Sequence, residues 1–370
     1  MTTVLIAPDK FKGSLSAAEV AETLAEGFTE AGMDVLTLPL ADGGDGSVAA
    51  ALAAGFIKHT ISVQSATGAS HPAVIAVSGD TAVVEVANTC GLGTLPGDRL
   101  APLSASSFGF GQAIRSAMDL GVRRVVLALG GSASSDAGIG MLAALGFRFL
   151  DRAGRVVPAT AENLGVIQRV TADVLPPVEL IVASDVTNPL LGADGAAAVY
   201  GPQKGATVAD IDVLEAGHEN VVVAFARSGW ADAGAVAQMS GAGAAGGCGF
   251  AAALLGARIV SGATFFLDLL GFEKYCQQAD LVITGEGRLD SQTLRGKLPS
   301  VVAQRAFPKP VVAVVGRNDL GRTSDAPFVD IRTVGDYSPA DTAHDPVGTR
   351  AALHAIARVI AADVSRQATG

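Results

Sequence analysis

Residues 71–88 read HPAVIAVSGDTAVVEVAN. Two short runs, HPAVIAV and TAVVEVAN, alternate apolar and polar positions on either side of Ser78-Gly79-Asp80. A period of two marks a strand with one buried face. A tight Gly-Asp connection joins antiparallel neighbours, which a parallel βαβ unit does not use. The hairpin therefore marks entry into a different unit, and the boundary is expected near residue 62.

Outward from the hairpin the pattern changes. Toward the N-terminus, Thr3–Ala7 reads as a buried strand followed by a lysine-bearing loop. A helix follows from about Ala17 to Glu30, with Ser16 and Glu19 as a capping box. A second strand is expected near Val35–Leu38, then the Gly/Asp loop 41–46 and a helix over Ser47–Ala54. Beyond the hairpin, Arg124–Leu129 and Glu179–Ala183 read as strands. From about residue 264 a βα rhythm returns in ADLVITGEGRLD, KPVVAVVGRND and VDIRTVGDY, and a last helix is expected over 344–361. The fold class expected is two α/β domains. Residues 1–62 and 264–370 form a Rossmann-like parallel-sheet domain, and residues 63–263 form a mixed α/β domain inserted into it. Ligands of open α/β sheets bind outside the carboxyl ends of the strands, so the strand-end loops are expected to share an active site in the interdomain cleft.

Composition narrows the function classes. The chain has 370 residues, a net charge of −10 and 49% hydrophobic residues, with no run of lysine and arginine. A nucleic-acid partner is disfavoured. The apolar stretches have strand length, so a membrane is disfavoured too, and the N-terminal residues show no basic leader. Three widely spaced cysteines fit a reduced, cytoplasmic protein, and a homo-oligomeric state stays open. His59, His71, His344 and His354 read as surface or packing residues.

Six loops could carry chemistry. Lys10, Lys12 and Ser14 follow a strand and precede a helix N-terminus, a setting that favours an anion; the alternative is a solvated loop pairing with Asp9 or Glu19. Asp42 and Asp45 in ADGGDG could hold Mg²⁺ beside a phosphate, or form an ordinary turn. The loop LALGGSASSDAGIG, with Gly130, Gly131, Ser132, Ser134 and Asp136, offers backbone N–H groups to a triphosphate and opens a helix near Asp136. It is not a Walker A loop, for no G-x-x-x-x-G-K-[ST] occurs. SGAGAAGGCG contains a formal G-x-G-x-x-G, but no strand precedes it, so a nicotinamide dehydrogenase is disfavoured. Gly243 and Gly246 read either as an anion-binding turn or as close helix packing. Asp185 and Asn188 end a strand, with Lys204 soon after; Glu286, Asp290 and Lys297 follow another. Lysines, glycine loops and acids without histidine or cysteine suit phosphoryl transfer, where positioning and charge neutralisation do most of the work.

Taken in order, APDKFKGSLSAAEVA, PLADGGDGS, GGSASSDAGIGMLAALG, DVTNPLLG, GPQKGA, GAGAAGG and ADLVITGEGRLDSQTLRGK resemble the signature segments of the bacterial glycerate kinase family over essentially the whole chain. The chain departs from the usual family pattern at Ala133–Gly138, at Ser240 and over 86–92. The resemblance implies ATP- and Mg²⁺-dependent phosphorylation of D-glycerate, with 2-phosphoglycerate expected and 3-phosphoglycerate the alternative. The expected roles on that basis are Lys10, Lys12, Asp185 and Asp290 as catalytic, with Asp185 the first choice of base. Ser14, Asp42, Asp45, Asn188 and Glu286 would bind substrate. Gly130, Gly131, Ser132, Ser134, Asp136, Gly243 and Gly246 would hold the nucleotide, and Asp42 and Asp45 the metal. A kinase of another small hydroxy acid and a non-catalytic nucleotide or metabolite sensor are the other readings.

Overall fold

The computed structural model describes residues 2–174, 177–291, 293, 296–320, 326–337 and 344–369. Thirteen strands occur among them: β1 (Thr3–Ile6), β2 (Asp34–Thr37), β3 (Ile57–Gln64), β4 (Ser70–Ser78), β5 (Thr81–Glu85), β6 (Arg124–Ala128), β7 (Phe147–Leu150), β8 (Arg169–Ala172), β9 (Glu179–Ala183), β10 (Arg258–Val260), β11 (Leu281–Leu289), β12 (Val311–Asn318) and β13 (Asp330–Thr333). The chain forms two compact units. One comprises Met1–Asp42, Ala49–Gly55 and Ala263–Gly370; the other comprises Gly43–Val48 and Phe56–Gly262. The expected boundary near residue 62 thus falls inside β3, and the glycine loop 43–48 belongs to the second unit.

The first unit is built on a five-stranded parallel sheet in the order β13-β12-β11-β1-β2. Its inner strands β1, β11 and the first part of β12 are buried on both faces, as a parallel sheet covered by helices requires, while the edge strands β2 and β13 are more polar. The helix Ala17–Glu30 starts where Ser16 Oγ accepts the Glu19 N–H and the Glu19 carboxylate accepts the Ser16 N–H. Its buried face, with Val20, Leu24 and Phe28, packs with Ile6, Ile283, Val314, Leu353 and Ile356 in one core. Truncating a buried phenylalanine such as Phe28 to alanine costs about 3–5 kcal/mol. Gly27 allows the C-terminal helix Pro346–Thr369 to approach, since a Cβ there would lie 2.7 Å from the His354 carbonyl oxygen. That helix starts and ends later than the expected 344–361.

The second unit carries a six-stranded mixed sheet, β10-β9-β6-β5-β4-β3, and a separate β7–β8 pair. Strands β4 and β5 form the anticipated hairpin, with Ser78 opposite Thr81 and Gly79 at φ +57°. On its other side β5 pairs parallel with β6, so the sheet changes sense at this strand. The hairpin's second strand ends at Glu85, earlier than the apolar pattern suggests, and Val86–Cys90 turns helical. The core gathers Phe110, Phe149, Phe225 and Phe250 with the inward residues of the sheet.

Candidate functional site

In the first sheet, β1 runs through its helix to β2 on one side, while β11 runs through the helix Leu298–Ala306 to β12 on the other. The carboxyl ends of β1 and β11 therefore form a topological switch point, where adjacent strand ends feed loops in opposite directions and leave a crevice. Backbone bonds hold the two strands together past the formal end of β1: Ala7 N–H donates to Ile283 O at 2.7 Å and Asp9 N–H to Gly285 O at 2.9 Å. There the strands part, with Lys10 leaving on one side and Glu286 on the other.

The lysine loop is pinned by two apolar residues. Phe11 and Leu15 are buried and exchange backbone hydrogen bonds at 2.8 and 3.0 Å, so Lys12 and Gly13 between them turn outward and are exposed. Gly13 takes φ +86°, which a side chain would resist. Ser14 Oγ donates to Thr349 Oγ1 at 3.1 Å. Lys10 is folded back, with Nζ 3.6 Å from Asp9 Oδ1 and 3.9 Å from Asp42 Oδ1, while its own N–H donates to Asp9 Oδ1 at 2.7 Å. Burial pushes the Asp9 carboxyl up to about 7 against the pull of Lys10, and Asp42 adds to the rise. Burial likewise pushes Glu286 up to about 7; the Thr293 hydroxyl and Lys297 oppose this, while Asp9 and Asp290 reinforce it. Thr293 Oγ1 donates to Glu286 Oε1 at 2.5 Å, and Lys297 Nζ lies 3.4 Å from Asp290 Oδ1. Arg288 and Arg317 both turn to Asp319. Gly287 leaves room for the lysine loop, as a Cβ there would lie 3.2 Å from the Lys12 nitrogen.

In the second unit the segment 43–48 lies across the carboxyl ends of three strands. Gly43 has φ +82° and meets the end of β9, where a Cβ would come within 2.0 Å of Ala183 O. Gly130, past the end of β6, faces Gly44 Cα at 2.4 Å from its would-be Cβ. Val48 N–H donates to Glu85 Oε2 at 2.9 Å, at the end of β5. Asp45 and Gly131 are exposed at this edge, and Gly130 is half-buried.

The rest of the expected nucleotide loop turns inward. Ser132, Ser134 and Asp136 are buried. The Asp136 carboxylate accepts N–H groups of Ser107, Gly138 and Gly140 at 2.8–3.2 Å and the Ser107 hydroxyl at 2.8 Å, while burial raises its pKa. With Ala137 and Gly138 both at positive φ, the following helix begins at Ile139, not near Asp136. Lys204 supports the loop from behind. Its Nζ donates to Ser134 O at 2.5 Å and Ser132 Oγ at 2.9 Å, and burial lowers its pKa to about 8. His218 Nε2 lies 2.9 Å from Ser135 O, and burial holds its pKa down at about 4, so the ring is neutral near pH 7.

Gly243 and Gly246 are buried in close packing. A Cβ on Gly243 would lie 2.3 Å from Pro189 O, and one on Gly246 would lie 2.2 Å from Ser134 O. Expected to face a nucleotide, these glycines with Ser132, Ser134 and Asp136 instead shape and back the loop, and Gly130 and Gly131 are its surface. Asp185 is exposed; its Oδ1 accepts the Ser261 hydroxyl and the Gly262 N–H, each at 2.9 Å. Asn188 braces its own turn, donating to Asp194 O at 2.8 Å and accepting from Tyr200 OH at 2.7 Å. Asp9, Glu85 and His218 were not anticipated as site or supporting residues. Asp9 alone had a signal, its place directly after the strand and beside Lys10. Among the described residues no group of three or more His, Cys, Asp or Glu is placed to hold a metal, and no helix is long and apolar enough to cross a membrane.

Comparison with known proteins matches residues 4–361 to the glycerate kinase family. A glycerate kinase of Haemophilus influenzae is 39% identical over 353 residues, 90% of this chain and 92% of its own length. A glycerate 2-kinase of Escherichia coli is 37% identical over 91% of this chain and 92% of its own. A crystal structure of a candidate glycerate kinase 2 from Salmonella typhimurium LT2 superposes with a TM-score of 0.85 and 36% identity, covering 100% of both chains.

Proposed function

The chain belongs to the glycerate kinase family and is an enzyme of the kinase class, and on that premise we propose that it phosphorylates D-glycerate with ATP and Mg²⁺ to give 2-phosphoglycerate. The observation that carries this reading is the switch point of the first sheet. There Lys10 stands between Asp9 and Asp42, Lys12 projects outward, and Glu286 lies just past the end of the pairing. The choice of the 2-hydroxyl rests on the Escherichia coli relative, a glycerate 2-kinase.

The assigned roles follow from what each group offers. Lys10, Lys12 and Ser14 bind the glycerate carboxylate and the transferring phosphate, two anions that need fixed positive charge. Gly130 and Gly131 present backbone to the ATP phosphates, with Ser132, Ser134, Asp136, Gly243 and Gly246 holding that loop from inside. Asp42 and Asp45 supply carboxylate oxygens, the hard donors Mg²⁺ prefers, and few are needed because phosphate oxygens complete its shell. Held by these carboxylates, Mg²⁺ would supply charge neutralisation to the nucleotide phosphates. Asn188 keeps the turn after Asp185 in shape and so acts on binding indirectly. Asp185, Asp290 and Glu286 are the candidate acceptors of the glycerate hydroxyl proton. The cytoplasm is the compartment that accords with three unpaired thiols, Cys90, Cys248 and Cys276.

Incubation with D-glycerate and MgATP tests the reading. ADP release dependent on glycerate is expected, with phosphorus NMR showing 2-phosphoglycerate. No ADP above a glycerate-free control overturns the function, and a 3-phosphoglycerate resonance overturns only the choice of hydroxyl.

A further inference from the structure

We propose that Glu286 is the catalytic base, the group that takes the proton from the attacking hydroxyl of glycerate. The inference rests on the glycerate kinase reading above and adds a residue role to it. Glu286 stands one residue beyond Gly285, the last point where β11 is bonded to the β1 segment, so it lies at the mouth of the switch point. The Thr293 hydroxyl fixes its Oε1 at 2.5 Å, and Oε2 has no hydrogen-bond partner among the described residues. One oxygen is thus held while the other takes no bond from any described residue, the arrangement of an oriented proton acceptor.

The surroundings separate Glu286 from the other two carboxylates. Asp290 has Lys297 at 3.4 Å, a standing counter-charge. Asp185 has Oδ1 occupied by two donors. Among the described residues, the charged groups acting on Glu286 are Asp9 from the loop after β1, with Asp290 and Lys297 from the segment that follows β11. On β12 its partner in register is the uncharged Val315, and Arg288 and Arg317 pair with Asp319. Burial, reinforced by Asp9 and Asp290 against the Thr293 hydroxyl and Lys297, keeps the carboxyl protonated to about pH 7, where a base exchanges protons most effectively. In the step, the glycerate hydroxyl proton moves to Glu286 Oε2 as the hydroxyl oxygen bonds to the γ-phosphorus of ATP. The bond from that phosphorus to the β,γ-bridging oxygen breaks, and its electron pair leaves with ADP.

Glu286→Gln tests the assignment, with wild type alongside. The expected result is a loss in kcat of about 100-fold or more, with both KM values within about threefold. Wild-type kcat/KM should rise with pH along an acid limb near 7, because the base must be deprotonated, and Glu286→Gln should lack that limb. Asp9→Asn, Asp185→Asn and Asp290→Asn should keep it. Thr293→Val, which leaves Glu286 in place, should move the limb to higher pH, since the hydroxyl that favours the charged carboxylate is gone. Retention of more than a tenth of kcat in Glu286→Gln, a limb that persists in it, or a limb unmoved in Thr293→Val overturns the assignment while wild type is active. Wild type without glycerate-dependent turnover overturns the parent reading, and this assignment with it.

Discussion

The loops at the carboxyl end of β1 and β11 and the loop after β6 are both rich in glycine and polar residues, yet they are built inside out relative to each other. In the first, Phe11 and Leu15 are the buried anchors, and the charged residues between and beside them reach outward or into a half-buried crevice. In the second, the polar side chains Ser132, Ser134, Ser135 and Asp136 are buried, leaving Gly130 and Gly131 as the surface. One region offers side-chain charge whose protonation is tuned by burial; the other offers backbone held stiff by Lys204, Asp136 and a facing set of glycines. Glycine also differs in meaning. Gly287 leaves room for the lysine loop beside it, whereas Gly246 lets one backbone touch another.

The sharpest way to break this comparison is to add a side chain on each side. Gly246→Val should abolish a cooperative fold, because its Cβ would sit 2.2 Å from Ser134 O at φ +64°. Gly287→Ala, with its nearest contact at 3.2 Å, should leave Tm within about 2 °C and lower kcat. Equal thermal losses in calorimetry would show that the two loops are built alike.

Removing a lysine from each region comes next. Lys12→Ala should lower kcat by about 100-fold or more in the coupled assay, with Tm within a few degrees; near-normal turnover removes Lys12 from the site. Lys204→Met leaves Ser134 O and Ser132 Oγ without their donor, costing about 1–3 kcal/mol. A loss in Tm of about 3–8 °C follows.

The smallest effect concerns the charge at Asp9. Its carboxyl is raised from 3.8 to about 7, so between those values the folded protein holds a proton that the unfolded chain has released. Stability contributed by this group falls as pH rises through that window. Asp9→Asn should therefore melt about 1–2 °C above wild type at pH 8 and converge with it below pH 4. A gap that is unchanged with pH would mean that Asp9 is not held protonated by its site.

What could be read from the sequence was local. The hairpin at Ser78–Asp80, the capping box of Ser16 and Glu19, and the position of Lys10 just after β1 all rest on residues close in the chain, whereas Glu286, expected just past its strand, lies within β11, which runs on to Leu289. What could not be read depends on distant backbone. Nothing local says that Gly43 will meet Ala183, or Gly44 meet Gly130, so the segment 43–48 could not be assigned to the second unit. Asp136 looks like the start of a helix; its burial is set by Ser107, 29 residues away. The glycines of 241–247 have the spacing of a cofactor motif, and their contacts with Pro189, Ser134 and Ala137 show that it is a packing motif. Asn188 resembled a ligand for the same reason that it makes a good brace, a short amide at a turn.

The connectivity of the two units has a consequence for synthesis. The β1 end of the first sheet is joined to its partner by hydrogen bonds that span 277 residues, Thr284 to Ala7 and Thr3 to Asp280. The second unit is nearly continuous, from Phe56 to Gly262, and needs only the six earlier residues Gly43–Val48 to be complete. On the ribosome it has all of its chain before β11 exists, so β1 is made first, with β2 soon after, and gains its neighbour β11 only once the second unit is complete. The chemistry of the N-terminus therefore cannot assemble before β11 has been made.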